Sequence, residues 1–317
     1  MCVQDKNIER GTYSELLSKW LQSKLIAVKE STFSRYSRIV DVYIIPYLGD
    51  LYVSEFSTAI IEQFTHNLLT SGKKDGSGGL SSKTVSDILV VIKSSLEYGH
   101  ENGYSVNCNA KRILIKKHDK EMRVLTPAEQ IKFVSYLRED MDLYKFGTLL
   151  SLYTGIRIGE LCALRWENIQ SDINAIIIRE TLQRIPSVEE KSKTKIIITE
   201  PKSECSVREI PLPDCLHTLI AKFRSSPKSY LLTGDKERYA EPRTMQYHFK
   251  QYIKKSGIPS ANYHSLRHTF ATRCIEAGFD VKSLSEILGH SNVNITLNRY
   301  VHSSFELKAK NMNKLTF

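Results

Sequence analysis

The sequence contains no apolar run close to the roughly 20 residues a membrane-crossing helix needs, so nothing in it reads as a bilayer span. Its first residues, MCVQDKNIERGTYSELL, lack the basic-then-apolar layout of a secretory signal. Both absences point to a cytoplasmic protein. The six cysteines, Cys2, Cys108, Cys162, Cys205, Cys215 and Cys274, are scattered and never form a C-x-x-C pair. That argues against a zinc ribbon or a disulfide framework; the thiols read as reduced apolar fillers or surface groups. No internal repeat is visible. His264 and His268 stand four apart, yet Ser265 occupies the place where an H-E-x-x-H zinc protease carries its glutamate.

What is present is basic charge on a globular composition. Hydrophobic residues make up 41% and charged residues 25% of 317, with a formal net charge of +10. Such a balance suits a polyanionic partner, because lysine and arginine displace counterions condensed on phosphate backbones. Charge alone does not decide the matter, since many basic proteins are merely soluble. The length allows two domains of ordinary size.

The first part of the chain reads as helices. TYSELLSKWLQSKL places Tyr13, Leu16, Leu17, Trp20, Leu21 and Leu25 at helical spacing. STFSRYSRIVDVYIIPYLGD follows, with Ser31 or Thr32 placed to cap and Gly49 to stop. STAIIEQFTHNLLTSG and SSKTVSDILVVIKSSLEYGHENG make a third and a fourth helix, joined by the polar loop GKKDGSGGLSS. The charged run Ile115 to Met122 reads as a linker, which sets domains at 1–117 and 122–317. Thr126, Pro127 and Glu129 then open a new helix through a capping box. From Asn174 three β-branched runs, AIIIRETLQRI, KTKIIITE and SVREIPL, predict one small three-stranded antiparallel sheet. Helical patterning returns after Pro213. The fold class is therefore mostly α, with an all-α first domain and an α+β second domain.

Four segments carry reactive side chains beside tight-turn residues: TGIRIGEL, EPKSECSVREIPL, HSLRHTFA and LGHSNVNITLNRY. Arg157 and Arg267 sit at or beside helix starts, where a guanidinium and free backbone N–H groups can hold a phosphate. Lys202 lies in a polar turn between strands. His264 and His290 offer imidazoles for proton transfer or for hydrogen bonds to phosphate. Tyr300 is a phenol able to attack phosphorus. Together they would form a phosphoryl-transfer site built on cations. Singly, each has a plainer reading: a solvated arginine or lysine, a helix-capping His290, one of sixteen tyrosines. Glu160 alone reads as a partner for a neighbouring basic group.

Taken together and in order, the four segments resemble the signature of the tyrosine recombinases, the phage integrase family. TGIRIGEL matches T-G-x-R-x-x-E-L with Arg157 and Glu160, and Lys202 precedes Ile210-Pro211-Leu212 as the family's β-turn lysine does. His264, Leu266, Arg267 and His268 match H-x-L-R-H; Leu288, Gly289, His290 and Ser291, followed by Tyr300, match the last motif. The resemblance is close from about Arg123 to Tyr300 and looser over the amino-terminal helices, which resemble a SAM-like core-binding domain.

The resemblance implies a site-specific recombinase that cuts duplex DNA through a 3′-phosphotyrosine at Tyr300 and rejoins it without ATP, metal or other cofactor. Arg157 and Arg267 would hold the phosphate, Lys202 would protonate the leaving 5′ oxygen, and His264 would accept the proton of Tyr300. His290 would bond the phosphate and Glu160 would orient the group. The segment after Tyr300 would dock on a neighbouring protomer of a homo-tetramer on two duplexes. Because the chain opens on the core-binding helices, no arm-site-binding domain is expected ahead of them. Integration or excision of a mobile element is the expected reaction, with an excision-directing accessory protein as a possible partner. Xer-like dimer resolution, DNA inversion, a type IB topoisomerase and a non-catalytic DNA-binding protein are the alternatives.

Overall fold

The computed structural model describes residues 11–116, 122–187, 194–199, 207–301 and 312–313. Lys202 and nearly all of the segment after Val301 lie outside the described residues, as does the middle of the expected linker. The chain forms two compact units, Met1–Lys120 with Ile185–Lys195, and Glu121–Arg184 with Ile196–Phe317.

The first unit is built from α1 (Tyr13–Ala27), α2 (Glu30–Ile39), α3 (Ile45–Leu48), α4 (Thr58–Ser71) and α5 (Ser82–Glu101). Thr12 and Glu15 close a reciprocal capping box at the start of α1. Tyr13, Leu16, Leu17 and Trp20 recur at helical spacing and are all fully buried, each stabilising the unit by roughly 1.5–3 kcal/mol. Leu25 continues the spacing but is exposed, because the stripe outruns the core. Ser57 and Ser81 cap α4 and α5 through their side chains. The cap expected at Ser31 or Thr32 is not used: α2 begins at Glu30, with Lys29 at the cap position and no side-chain capping bond there. A short π-helical stretch, Val40–Ile44, carries α2 into α3.

From Glu121 onward the chain supplies α6 (Pro127–Arg138), α7 (Leu143–Thr154), α8 (Ile158–Ala163) and β1 (Ile169–Gln170). There follow β2 (Ala175–Ile178), β3 (Thr181–Pro186), β4 (Thr194–Thr199) and β5 (Arg208–Pro211). The chain then forms α9 (His217–Phe223), α10 (Pro242–Lys255), α11 (His264–Glu276), α12 (Val281–Leu288) and α13 (Val293–Tyr300). The capping box expected at Thr126 and Glu129 opens α6.

Three strands pair, though not the three expected. The run AIIIRETLQRI splits at Arg179-Glu180, and its halves enter different sheets. β2, buried along its length, pairs antiparallel with β1 and with β5, in the order β1-β2-β5. β3 and β4 form a separate two-stranded ribbon. The register sets Ile178 opposite Arg208 and Ile176 opposite Ile210.

The core of this unit gathers on α7, where Phe146, Leu149, Leu150 and Leu152 are buried, with Phe133 of α6, Phe249 of α10 and Leu266 of α11. A satellite cluster of Ala271, Cys274, Leu284, Leu288 and Tyr300 joins α11, α12 and α13. Among the described residues no helix is long and apolar enough to cross a membrane.

Candidate active site

The site grows from two helix ends. α7 stops at Gly155, which is left-handed at φ 64°, so a side chain there would be strained. An added Cβ would also lie 2.5 Å from Phe270. This turn leads to Arg157, which caps α8, and to Glu160 one turn on. The Arg157 backbone N–H donates to Glu160 Oε2 at 2.9 Å, and its Nη1 donates to Oε1 at 2.8 Å. Arg208, at the start of β5, donates to both oxygens of the same carboxylate, at 3.0 and 2.8 Å.

The second helix end is the carboxyl terminus of α12. Its last carbonyls have no partner within the helix and carry the negative pole of the helix dipole. Three in succession each accept from a different guanidinium. Ile287 O takes Arg208 Nε at 2.6 Å, Leu288 O takes Arg267 Nη2 at 2.7 Å, and Gly289 O takes Arg157 Nη2 at 2.7 Å. Arg267 Nη1 donates to Gly155 O at 2.8 Å. Two helix ends and one carboxylate thus hold three mutually repelling arginines together. Each guanidinium has five N–H donors in a rigid fork. Arg157 and Arg267 each commit two in these bonds, which leaves donors for an anion.

On α11, His264, Arg267 and His268 share one face at i, i+3 and i+4 spacing. His264 is exposed, whereas Arg267 and His268 are 3% and 9% exposed. Tyr300 ends α13 and is 5% exposed, seated on the satellite cluster. Its hydroxyl lies 2.9 Å from His268 Nδ1. The His290 ring lies parallel to that of Tyr300 with centroids 6.5 Å apart, and His290 Nδ1 is 2.8 Å from Thr296 Oγ1. His264 packs edge-on against His268 at 4.6 Å between centroids.

The electrostatics follow from burial among cations. Burial alone would raise the Glu160 carboxyl, but the hydrogen bonds and charge of Arg208, with the charge of Arg157, hold it down to about 2. Burial and the neighbouring Arg157 bring Arg267 down to about 9, so it remains charged at neutral pH. Loss of water around the rings comes first, even for His264, which keeps part of its surface open; the charges of nearby arginines, and for His268 that of His264, then act with it to lower His264 and His268 to about 4 and His290 to about 3. All three imidazoles are neutral at pH 7. Burial raises the Tyr300 phenol above its ordinary value, while Arg267, Arg299 and Arg157 pull it back.

Of the residues singled out from the sequence, the structure brings Arg157, Glu160, His264, Arg267, His290 and Tyr300 into one cluster, while Lys202 lies outside the described residues. The histidine within hydrogen-bond distance of Tyr300 is His268, and His264, expected to take the Tyr300 proton, packs edge-on against it on the same helix face. Sequence reasoning also missed Arg208. Its place in SVREIPL beside the apolar Ile210 was the signal available, yet its partner Glu160 lies 48 residues away. Among the described residues no group of three or more His, Cys, Asp or Glu side chains is placed to hold a metal ion.

Comparison with known proteins identifies the family. Residues 123–306 match the phage integrase family, and residues 12–69 match the phage integrase N-terminal SAM-like domain. The first match spans more than half of the chain, and the protein belongs to the phage integrase family. A tyrosine recombinase XerC-like protein of Caldanaerobacter subterraneus is 27% identical over 92% of this chain and 79% of its own. The ICEBs1 integrase of Bacillus subtilis is 24% identical with the same coverage. In structure, the chain is similar to the Tn1549 transposon integrase solved with transposon right-end DNA. That similarity has a TM-score of 0.79 at 23% identity and covers 96% of this chain and 99% of that one. A lambda integrase dimer bound to a core site matches with a TM-score of 0.65 at 16% identity, over 92% of this chain and 78% of that one.

Proposed function

We propose that this protein is a site-specific DNA recombinase that cleaves and rejoins duplex DNA through a 3′-phosphotyrosine at Tyr300, integrating or excising a mobile element. One observation carries the reading: the Tyr300 hydroxyl lies 2.9 Å from His268, on the helix that also carries Arg267, within electrostatic reach of Arg267 and Arg157. A phosphodiester held by those two guanidiniums would meet a phenol already in place, with cations ready for the charge that gathers on phosphorus.

In this reading Arg157 and Arg267 grip the non-bridging oxygens, and His264 and His290 add hydrogen bonds from the rim. Glu160 fixes Arg157, and Lys202 gives its proton to the departing 5′ oxygen. The 5′-hydroxyl of a partner strand then attacks the phosphotyrosine, so bond energy is conserved and neither ATP nor metal enters. The segment 1–117 serves as a core-binding DNA domain and 122–317 as the catalytic one. The protein works in the cytoplasm as a homo-tetramer on two duplexes, with the segment after Tyr300 docked on a neighbour. The direction of the reaction is left to an excision-directing accessory protein. Support for the mobile-element assignment comes from relatives and structures named as integrases of such elements. The relative named XerC-like favours a second reading, resolution of chromosome dimers.

The test is a suicide substrate: nicked duplexes carrying the junction sequences of the element, incubated without metal and scored for a covalent protein–DNA band. The band is expected with the wild type and lost with Tyr300→Phe. Recombinant joints separate recombination from the topoisomerase alternative, and two directly repeated sites on one plasmid test resolution. Tight, footprinted binding with no band would leave a DNA-binding protein.

A further inference from the structure

We propose that His268 is a further catalytic residue of this site, its Nδ1 accepting the proton of the Tyr300 hydroxyl as Oη attacks phosphorus. The inference rests on the strand-transfer reading and deepens it.

A buried phenol must give its proton to something before it becomes a good nucleophile. The guanidiniums around Tyr300 are donors only. Glu160 has both oxygens occupied by Arg157 and Arg208. His290 lies parallel to the phenol ring with its Nδ1 against Thr296. His264 stands behind His268, edge to face. His268 Nδ1, at 2.9 Å, is within hydrogen-bond reach of the proton. With the surrounding guanidiniums able only to donate, His268 Nδ1 is the acceptor in reach of the hydroxyl's hydrogen.

The step balances. The Tyr300 O–H bond breaks and its proton goes to Nδ1; the Oη–P bond forms; the P–O5′ bond breaks and the 5′ oxygen takes a proton from the acid. On rejoining, the incoming 5′-hydroxyl returns its proton to the acid as its oxygen bonds phosphorus, the Oη–P bond breaks and Oη recovers its proton from His268. No oxidant or reductant is involved.

The groups facing His268 are His264 and Arg267 from α11 and Arg299 and Tyr300 from α13, with His290 and Arg157 in the surrounding shell. Burial and these cations keep His268 neutral, at about 4. A base works in its deprotonated form, so cleavage through His268 is independent of pH above that value.

The experiment is single-turnover cleavage of the nicked duplex by wild type, His268→Ala and His268→Asn between pH 5.5 and 9. Each is run on an ordinary phosphodiester and on one with sulfur at the bridging 5′ position. Sulfur leaves without a proton, so it relieves loss of the acid and not loss of the base. The wild-type rate is expected to be flat with pH. His268→Ala falls by on the order of 10² to 10⁴, and its rate climbs with pH as hydroxide forms the phenolate. Sulfur does not rescue it, whereas it rescues Lys202→Ala. His268→Asn keeps an acceptor oxygen near the Nδ1 position but cannot carry the proton, so it stays slow with the same slope. DNA affinity unchanged by gel shift shows the variants folded. An Asn variant at the wild-type rate, or both variants slow with a flat profile or sulfur rescue, would overturn the proposal while leaving the recombinase reading intact. Wild type giving no adduct on a footprinted site would overturn the recombinase reading itself.

Discussion

The two units bury different things. Among the described residues, the buried polar side chains of the first unit are Ser34, Thr65 and Ser95, all neutral hydroxyls. The second buries Lys145, Glu160, Arg208, Arg267 and His268. Hydroxyls are satisfied locally: Thr65 donates to Ile61 O one turn back, and Ser95 meets Tyr13 across the bundle. Buried charges need partners from distant segments, because the loss of water costs several kcal/mol per ion. Among the described residues, the first unit thus buries apolar groups and hydroxyls, and the second adds a buried charge network at the candidate site. The difference teaches where selection for chemistry opposes selection for stability.

Each unit holds one buried tryptophan, Trp20 in the first and Trp166 in the second, so Trp→Phe backgrounds let fluorescence follow each unit in the full-length chain. The largest effect is expected from Glu160→Ala, which strands Arg208 beside Arg157. It should destabilise the second unit by about 3–5 kcal/mol, read from the Trp166 denaturation midpoint, with the Trp20 signal little changed. An equal shift of both signals would break the comparison. Gly155→Ala comes next: left-handed backbone costs about 1–2 kcal/mol, and the Cβ must also displace Phe270. Because Gly155 O holds Arg267, cleavage should fall at least tenfold, on the order expected when a positioned group moves.

The pH dependence sharpens the same contrast. Three histidines of the site lie below their ordinary 6.5, at about 4, 4 and 3. As pH falls below 6.5 the unfolded chain binds protons that the folded unit refuses, so stability is lost down through about pH 4 to 3. Glu160 adds a loss between 4.5 and about 2. The Trp166 midpoint should therefore fall on acidification from pH 7 to 4, and fall less in His290→Asn. The smallest effect is expected from Tyr13→Phe, which removes one bond to Ser95 while Ser95 keeps Ile92 O. It should cost about 1 kcal/mol in the Trp20 signal, with cleavage unchanged.

Legibility followed the range of the interactions. The Thr126 capping box acts within three residues and the apolar stripe of α1 repeats within a turn, so short windows carry that information, whereas the cap read at Ser31 or Thr32 is not used. The sheets mixed the two cases: the β-branched runs were local, but their pairing was not, and the break at Arg179-Glu180 sent neighbouring stretches to separate sheets. The site divided in the same way. TGIRIGEL and HSLRHTFA place Arg157, Glu160 and Arg267 by local spacing. The clamp of Arg208 on Glu160 and the carbonyls of Ile287, Leu288 and Gly289 that receive three arginines are tertiary facts. So is the placing of His268 within 2.9 Å of the Tyr300 hydroxyl.

The central claim is that Tyr300 becomes covalently joined to DNA. Its most direct test is to trap wild-type protein on the nicked duplex without metal, digest both components and map the adduct by mass spectrometry. The account predicts a 3′-phosphonucleotide on the peptide carrying Tyr300, absent from Tyr300→Phe. An adduct on any other of the sixteen tyrosines, or firm binding with no adduct, would contradict it.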